Sequence, residues 1–192
     1  MAGKLLAPQL VINARMLILC YVPADPRAAA ALLPEPLKPA KNKAIFLNQY
    51  VVDKSEQTSG FGAYSLTYAG LELAGYNADK IVQGRWWTHY MNSNPLMRAY
   101  AKERGVPATP GETTLELKRG RLVATTYVNT KALIRTTVTV GSQFTIQRGQ
   151  LRYLNRVGKT FYDGRYPYVM PAADRLEVVS LEFLDPKHSI YA

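Results

Sequence analysis

Proton-transfer chemistry in this sequence centres on His89, which lies in the aromatic run from Arg85 to Tyr90. An imidazole titrates near neutral pH, so His89 is the best candidate for moving a proton. Side chains alternate between the two faces of a β-strand, so Arg85, Trp87 and His89 are predicted to share one face, and the residues between them the other. The sequence leaves open which face points inward, and a packed or surface histidine is the alternative interpretation.

Residues suited to metal or cofactor chemistry are poorly placed. The two histidines, His89 and His188, are far apart in the sequence, and Cys20 is the single cysteine. The fourteen acidic residues form no cluster with ligand spacing. Gly60-Phe61-Gly62 begins like a dinucleotide-binding fingerprint, but Ser65 stands where the third glycine belongs. We therefore predict no metal and no cofactor.

Positive charge is concentrated in the second half of the chain. The net charge is +10, and residues 118–165 contain ten lysines and arginines but one acid, Asp163. A positive field of this kind attracts acidic proteins, polyanions or anionic substrates. A solvated surface that keeps the protein soluble is the alternative.

Length and composition favour one globular domain over residues 1–192, with 47% hydrophobic residues. No apolar run approaches the roughly 20 residues that cross a bilayer, and no secretory signal is visible. A lone cysteine makes no internal disulfide, so we expect a cytoplasmic protein. Cys20 lies in an apolar run, Met16–Tyr21, where a small buried hydrophobe is expected.

Two short helices are predicted from their first residues. Asp25 and Asn94 each precede a proline, which combines a capping side chain with the residue type favoured at the first helical position. The first helix is predicted over 26–33, before Pro34. The second is predicted over 95–104, before Gly105.

Segments rich in β-branched and aromatic residues make up most of the remaining chain. Arg119-Gly120 and Arg148-Gly149 are predicted to be tight turns between neighbouring strands. Short strands at this spacing, with two small helices, favour a closed or sandwiched antiparallel sheet. The predicted strands are 10–22, 44–52, 64–68, 85–91, 113–118, 122–129, 133–140, 143–147, 150–154 and 175–184.

Three segments, taken in order, are similar to a known family. They are Leu32-Leu33-Pro34-Glu35-Pro36-Leu37, Thr58-Ser59-Gly60-Phe61-Gly62-Ala63-Tyr64, and the stretch 84–107, which ends in Gly105-Val106-Pro107. Together they resemble the acetoacetate decarboxylase family over residues 15–139. The resemblance implies a mainly β fold, a double-layered antiparallel β-barrel with two short helices and a central pocket.

The catalytic residues of that family are replaced here. Acetoacetate decarboxylases carry two lysines after the proline, of which the first forms an imine with the substrate and the second lowers its pKa. The matching positions are Ala108 and Thr109, and neither side chain can form an imine. A pocket glutamate of the family is matched by Leu66, whereas its pocket arginine has a counterpart in Arg15.

A pocket without an amine can still polarise a carbonyl with hydrogen-bond donors and transfer a proton. The predicted catalytic residues are Arg15, His89, Tyr64 and Glu112. The predicted substrate-binding residues are Leu66, Trp87, Tyr90, Ala108, Tyr127 and Arg135. Surface roles for Arg15 and Glu112 are the alternatives.

The leading hypothesis is a lysine-independent enzyme acting on a hydrophobic, carbonyl-containing small molecule. It would be a lyase, isomerase or cyclase of polyketide-like secondary metabolism. We expect a homo-oligomer, and an acidic acyl carrier protein is a candidate partner.

A non-catalytic small-molecule binding protein is the alternative. A nucleic-acid-binding β-domain follows from charge alone, and it is disfavoured because Arg152 and Tyr153 would point to opposite faces of a strand.

Overall fold

A computed structural model describes residues 10–77 and 82–191, and the fold of these residues is mainly β. The predicted mainly β class with two short helices is confirmed. In chain order the elements are β1 (Arg15–Tyr21), α1 (Pro26–Ala31), β2 (Ile45–Val52), β3 (Tyr64–Glu72), β4 (Gly84–Asn92), α2 (Pro95–Glu103), β5 (Ala108–Pro110), β6 (Glu112–Lys118), β7 (Arg121–Val128), β8 (Lys131–Val140), β9 (Phe144–Val157), β10 (Thr160–Ala173) and β11 (Leu176–Phe183).

Both helices begin at the capping residues predicted from the sequence. The Asp25 carboxylate accepts hydrogen bonds from the first free backbone N–H groups of α1, at 2.9 and 3.2 Å. The Asn94 side chain does the same for α2, at 2.8 and 3.2 Å. These bonds satisfy donors that have no partner within the helix. Within the described residues, neither helix is long and apolar enough to cross a membrane.

The strands form two sheets. The first has the order β1-β2-β3-β4-β9-β10, and β5 also pairs with β4. The second has the order β11-β8-β7-β6. Pairing is antiparallel, except that β4 runs parallel to its neighbours β5 and β9. The first sheet curls, so it has a concave and a convex face.

The second sheet packs on the convex face through a buried polar network. The Gln49 side chain donates to the Thr126 hydroxyl at 2.9 Å and accepts from the Thr136 hydroxyl at 2.6 Å. Thr126 also hydrogen-bonds to Thr67, which reaches Thr113. Because Gln49 and Thr67 lie on the first sheet and the others on the second, these bonds fix the two layers together.

Two strand predictions were wrong in extent. The two strands predicted at 143–147 and 150–154 are replaced by one strand, β9 (Phe144–Val157), without the turn predicted at Arg148-Gly149. Its long partner β10 was not predicted. Gly149 lies within β9, and the Tyr168 hydroxyl packs against it. A side chain would not fit there, because a Cβ would come within 2.7 Å of that oxygen. The hairpin turns instead at Gly158, whose φ is +58°.

The first strand is also shorter than predicted. It begins at Arg15, and before it Val11 makes only an isolated bridge to Thr58. β1 is an edge strand, and Cys20 on it is exposed rather than buried. The side chain of Cys20 lies on the concave side, opposite Phe46 of β2, and no strand of the described residues covers it there.

Candidate functional site

A cluster of aromatic side chains fills the concave face of the first sheet. Alternate residues of β2 and β3 point to this face because strand side chains alternate. Cross-strand pairing places Asn48 opposite Tyr68 and Tyr50 opposite Leu66. Helix α2 closes one side of the cluster. The buried members are Phe46, Tyr50, Val52, Phe61, Tyr64, Leu66, Tyr68, Trp87, Tyr90, Met97, Ala101, Val106, Ala108 and Tyr153.

A β-bulge in β4 decides which of its residues join the cluster. His89 pairs with Ala69 and Trp87 pairs with Gly70, so Thr88 is the extra residue. The bulge shifts the alternation by one position. Trp87 and Tyr90 therefore both face the cluster, with ring centroids 5.5 Å apart. The predicted grouping of Trp87 with His89 was wrong, because an uninterrupted strand was assumed.

The hydroxyl of Tyr68 is the hub of the hydrogen bonds in the cluster. It accepts from the Asn48 amide at 3.0 Å and from the Tyr153 hydroxyl at 3.2 Å. A phenol has one proton and two acceptor sites, so the proton of Tyr68 has no acceptor among the described residues. The Asn48 oxygen is also buried without a partner. Turning the amide round would pair that oxygen with Tyr68 and leave the Asn48 NH₂ unpaired instead.

Arg85 carries the positive charge of the cluster. Its side chain is buried beside Glu72, with Nη2 at 3.5 Å from a carboxylate oxygen. The guanidinium lies over the Phe46 ring, 4.0 Å from its centroid, and 5.9 Å from that of Tyr153. Its Nε and Nη1 atoms are buried and have no partner among residues 10–77 and 82–191. The same holds for the indole nitrogen of Trp87, whose ring stacks on Tyr153 with centroids 4.6 Å apart.

Burial keeps the phenols of the cluster protonated. It raises the pKa of Tyr64 to about 12 and also raises the pKa values of Tyr50, Tyr68 and Tyr153. A buried anion loses its hydration, which disfavours ionisation. These hydroxyls are therefore neutral at physiological pH, and they serve as hydrogen-bond donors rather than as bases.

Five of the ten residues predicted for the site lie in this cluster: Tyr64, Leu66, Trp87, Tyr90 and Ala108. Ala108 of β5 pairs with Tyr90 and is 2% exposed. Leu66 is 1% exposed. The two positions that the resemblance matches to the imine lysine and the pocket glutamate thus lie against the same group of rings.

Arg15 lies apart from the cluster, at the edge of the first sheet. Its guanidinium makes a two-pronged ion pair with Asp53, at 2.7 and 2.9 Å, and donates to the Leu115 carbonyl at 2.8 Å. The hydrogen bond to Asp53 raises the pKa of Arg15 and lowers that of Asp53. This geometry ties β1 to the second sheet.

His89 lies on the convex side, next to the C-terminal segment. Its Nε2 is 3.1 Å from the Ser189 hydroxyl, and its ring is 6.0 Å from that of His188. The two histidines are therefore close in space, although they are distant in sequence. Burial, with a smaller contribution from His188, lowers the pKa of His89 to about 4. The adjoining cavity of about 20 Å³ has room for one water molecule.

The remaining three predicted residues belong to the second sheet. Glu112 of β6 pairs with Tyr127 of β7, and Arg135 lies on β8 with an exposed side chain. The second sheet packs on the convex face, so these residues lie on the opposite side of the first sheet from the cluster. Among the described residues, no group of three or more His, Cys, Asp or Glu side chains could hold a metal ion.

Sequence reasoning missed Tyr50, Tyr68, Arg85 and Tyr153. For the first two a signal existed: Phe46, Asn48 and Tyr50 alternate along one strand, and Tyr64, Leu66 and Tyr68 alternate along the next. Tyr153 had no such signal, because its strand had been divided at a turn that does not form.

Comparison with solved structures identifies the fold. The chain superposes on acetoacetate decarboxylase with a TM-score of 0.66 and 14% identity, covering 95% of this chain and 77% of that one. It also superposes on the enduracididine biosynthesis enzyme MppR complexed with pyruvate (TM-score 0.59, 14% identity, 91% and 77% covered). A third match is an acetoacetate decarboxylase-like enzyme from Sphingomonas wittichii RW1 (TM-score 0.52, 16% identity, 88% and 85% covered).

The chain has the acetoacetate decarboxylase fold. The resemblance carried by three sequence segments is thus confirmed at the level of the fold. No protein-family profile and no curated protein matches the sequence. The identity to the matched structures is 14–16%, so the comparison shows the fold alone.

Proposed function

We propose that this chain is a lysine-independent enzyme of the acetoacetate decarboxylase fold that acts on a carbonyl-containing small molecule in the concave aromatic cluster. The observation that carries the proposal is the set of buried donors without partners around the Tyr153 ring. They are Arg85 Nε and Nη1 and the Trp87 indole N–H. The Tyr68 hydroxyl lies in the same cluster, with its acceptor sites occupied by Asn48 and Tyr153. Each buried donor without an acceptor costs about 1–3 kcal/mol, which a ligand oxygen would offset.

The donors are suited to stabilising an enolate or another oxyanion. Neutral phenols, an indole and a guanidinium donate hydrogen bonds to negative charge as it develops on a carbonyl oxygen. The low local dielectric strengthens each of these bonds. Tyr68 is the best placed donor, because the two hydrogen bonds that its oxygen accepts polarise its own O–H bond. We assign it the role that the imine plays in decarboxylases of this fold.

Proton transfer is assigned to Glu72. It is the one buried acid among the described residues, and it is held by Arg85 at 3.5 Å and by the Asn42 amide at 3.1 Å. Glu72 and Tyr68 lie on the same face of β3, four residues apart. We assign Glu72 the removal of a proton from carbon beside the polarised carbonyl and its return elsewhere. Isomerisation, cyclisation and dehydration all need this pair of functions, and none of them needs an amine.

The aromatic side chains of the cluster favour an apolar substrate body. Leu66 and Ala108 stand where the family has charge, so this part of the site solvates hydrocarbon better than ions. The MppR structure contains pyruvate, which supports a keto group as the reacting centre. A role in polyketide-like secondary metabolism, a cytoplasmic location, a homo-oligomer and a single domain over 1–192 also stay predictions.

A binding protein without turnover is the second candidate. The replacement of both the lysine and the glutamate favours it, because no residue at either position can take part in a chemical step. Turnover of any keto substrate by the purified protein would eliminate it.

The test compares ligand binding by three variants. Pyruvate and phenylpyruvate are titrated into the protein, with saturation-transfer NMR as the readout, and product formation is followed in the same tubes. Tyr68→Phe and Arg85→Met should each weaken phenylpyruvate binding about tenfold, which corresponds to about 1.4 kcal/mol. Tyr162→Phe, at an exposed tyrosine of β10, is the matched control. If Tyr68→Phe binds like the parent protein, the cluster is core packing and the proposal fails.

A further inference from the structure

The base of the β9–β10 hairpin is a two-stranded ribbon without a third strand. β9 and β10 pair over fourteen positions, but β9 pairs with β4 only through Arg152, Tyr153 and Leu154. Within the described part of the chain, residues 144–150 and their partners 167–173 therefore have no strand beside them on the β9 side. A two-stranded ribbon is marginally stable in water unless one face is covered.

One face of this ribbon exposes large apolar side chains. Cross-strand pairs share a face, which puts Phe144, Ile146 and Val169 together on the face turned away from the aromatic cluster. Their exposed fractions are 62%, 65% and 76%. Three neighbouring apolar side chains with this exposure are typical of a protein-binding surface. We call this surface the outer ribbon face.

The outer ribbon face is also basic. Arg148 pairs with Val169 on it, and Arg152 pairs with Arg165 further along. Asp163 binds both Arg152 and Arg165, at 2.9 and 3.2 Å. Arg148 makes no ion pair with any described residue. The face thus carries three guanidinium groups and one carboxylate, which is an excess of positive charge.

The edge of the ribbon favours packing against this face over addition of a strand. β10 is an edge strand, and it contains Pro167 and Pro171. Proline lacks the N–H that a partner strand would need, so prolines at an edge oppose strand addition. At the β10 edge a partner is therefore favoured to lie on the face, where it would meet apolar side chains beside arginines.

We propose that the outer ribbon face docks a small acidic helical protein of the acyl-carrier type, which presents carboxylates beside apolar side chains. Aromatic and aliphatic anchors with arginine are the composition of protein interfaces, and the excess charge calls for an acidic partner. A second copy of the chain would bring the same excess of positive charge. The inference rests on the proposed function, because the inner face of the same hairpin supplies Tyr153 and Tyr166 to the aromatic cluster.

Binding of a purified holo-acyl carrier protein tests the proposal. Biolayer interferometry at low and high ionic strength should give saturable binding that weakens with salt. Arg148→Glu and Ile146→Glu should each weaken binding at least about tenfold. The matched controls are Arg121→Glu, with the same change in charge, and Leu117→Glu, at a side chain 63% exposed on the second sheet. These two variants should bind like the parent protein.

Several outcomes overturn the docking proposal. They are no saturable binding, equal losses in ribbon and control variants, or a dimer in sedimentation that Ile146→Glu converts to monomer. The last would make a second copy the occupant. The proposed enzyme fails separately: if Tyr68→Phe leaves phenylpyruvate binding unchanged while the carrier still binds, the docking surface stands and the assigned site does not.

Discussion

The hydroxyl of Tyr153 donates to that of Tyr68 at 3.2 Å, joining residues 85 positions apart in the chain. The bond connects the β9–β10 hairpin to the centre of the concave face, and it fixes the direction in which the Tyr68 proton can point. Tyr153→Phe should therefore lower the free energy of unfolding by about 1 kcal/mol, typical of one buried hydrogen bond. It should also weaken phenylpyruvate binding less than Tyr68→Phe does. Urea unfolding and NMR titration measure the two effects, and equal losses of binding would contradict the central role of Tyr68.

The lysine-free mechanism predicts a negative result in imine trapping. Borohydride added with acetoacetate should leave every lysine unmodified in intact-mass and peptide analysis, because Ala108 and Thr109 replace the amine pair. Ala108→Lys supplies the positive comparison. A lysine buried at this 2% exposed position should have a lowered pKa and trap the keto acid. A stoichiometric adduct on one lysine of the parent protein would refute the mechanism.

Acid should destabilise the protein through His89. The ordinary pKa of 6.5 is lowered to about 4 in the fold, chiefly by burial and then by His188. The unfolded chain therefore binds the proton more tightly, so stability present above about pH 6.5 is lost as the pH falls towards 4. The loss is up to about 3 kcal/mol at 1.36 kcal/mol per pKa unit. Urea unfolding of the parent protein and of His89→Gln at a series of pH values tests this, since the variant should lack that part of the dependence.

Much of the fold was predictable because local signals agreed with the tertiary structure. Asp25-Pro26 and Asn94-Pro95 fixed both helix starts, since capping depends on neighbours in the chain. The β9–β10 hairpin was not predicted, because Gly149 had the signature of a turn. The absence of a side chain at Gly149 instead leaves room for Tyr168, and this contact forms only when the two strands pair.

The site was predictable only in part, for a related reason. Tyr64 came from a motif of the resembling family and Leu66 from the position of that family's glutamate, and both lie in the cluster. His89 was placed beside Trp87 because nothing local marks a bulge at Thr88, which depends on the register with β3. One extra residue sends the imidazole to the opposite face. Arg85 was missed as a site residue because its burial depends on Glu72 and Phe46 of other strands.

The polar network between the sheets should contribute measurably to the free energy of unfolding. Gln49→Leu keeps the approximate volume but removes the acceptor of the Thr136 hydroxyl and a donor to Thr126. Leaving a buried hydroxyl unpaired costs about 1–3 kcal/mol, and the free energy of unfolding should fall by that amount. Gln147→Leu, at an exposed residue of β9, is the control and should change it by less than about 0.5 kcal/mol. Equal small effects would show that water replaces the lost partners.

Cys20 offers a direct test of where ligands enter. It is the one cysteine of the chain, exposed on the concave side of the edge strand β1 and paired in register with Phe46, over which Arg85 lies. A bulky maleimide on Cys20 should therefore obstruct phenylpyruvate binding, and saturating ligand should slow the labelling. Burial and then Glu72 raise the pKa of the thiol, so labelling at neutral pH should be slower than for a free thiol. Cys20→Ser, treated identically, controls for modification elsewhere. Full labelling that leaves ligand binding intact would place the entrance at another edge. The next position to block would then be Tyr166 of β10, which is half-exposed and packs against Trp87 and Tyr153.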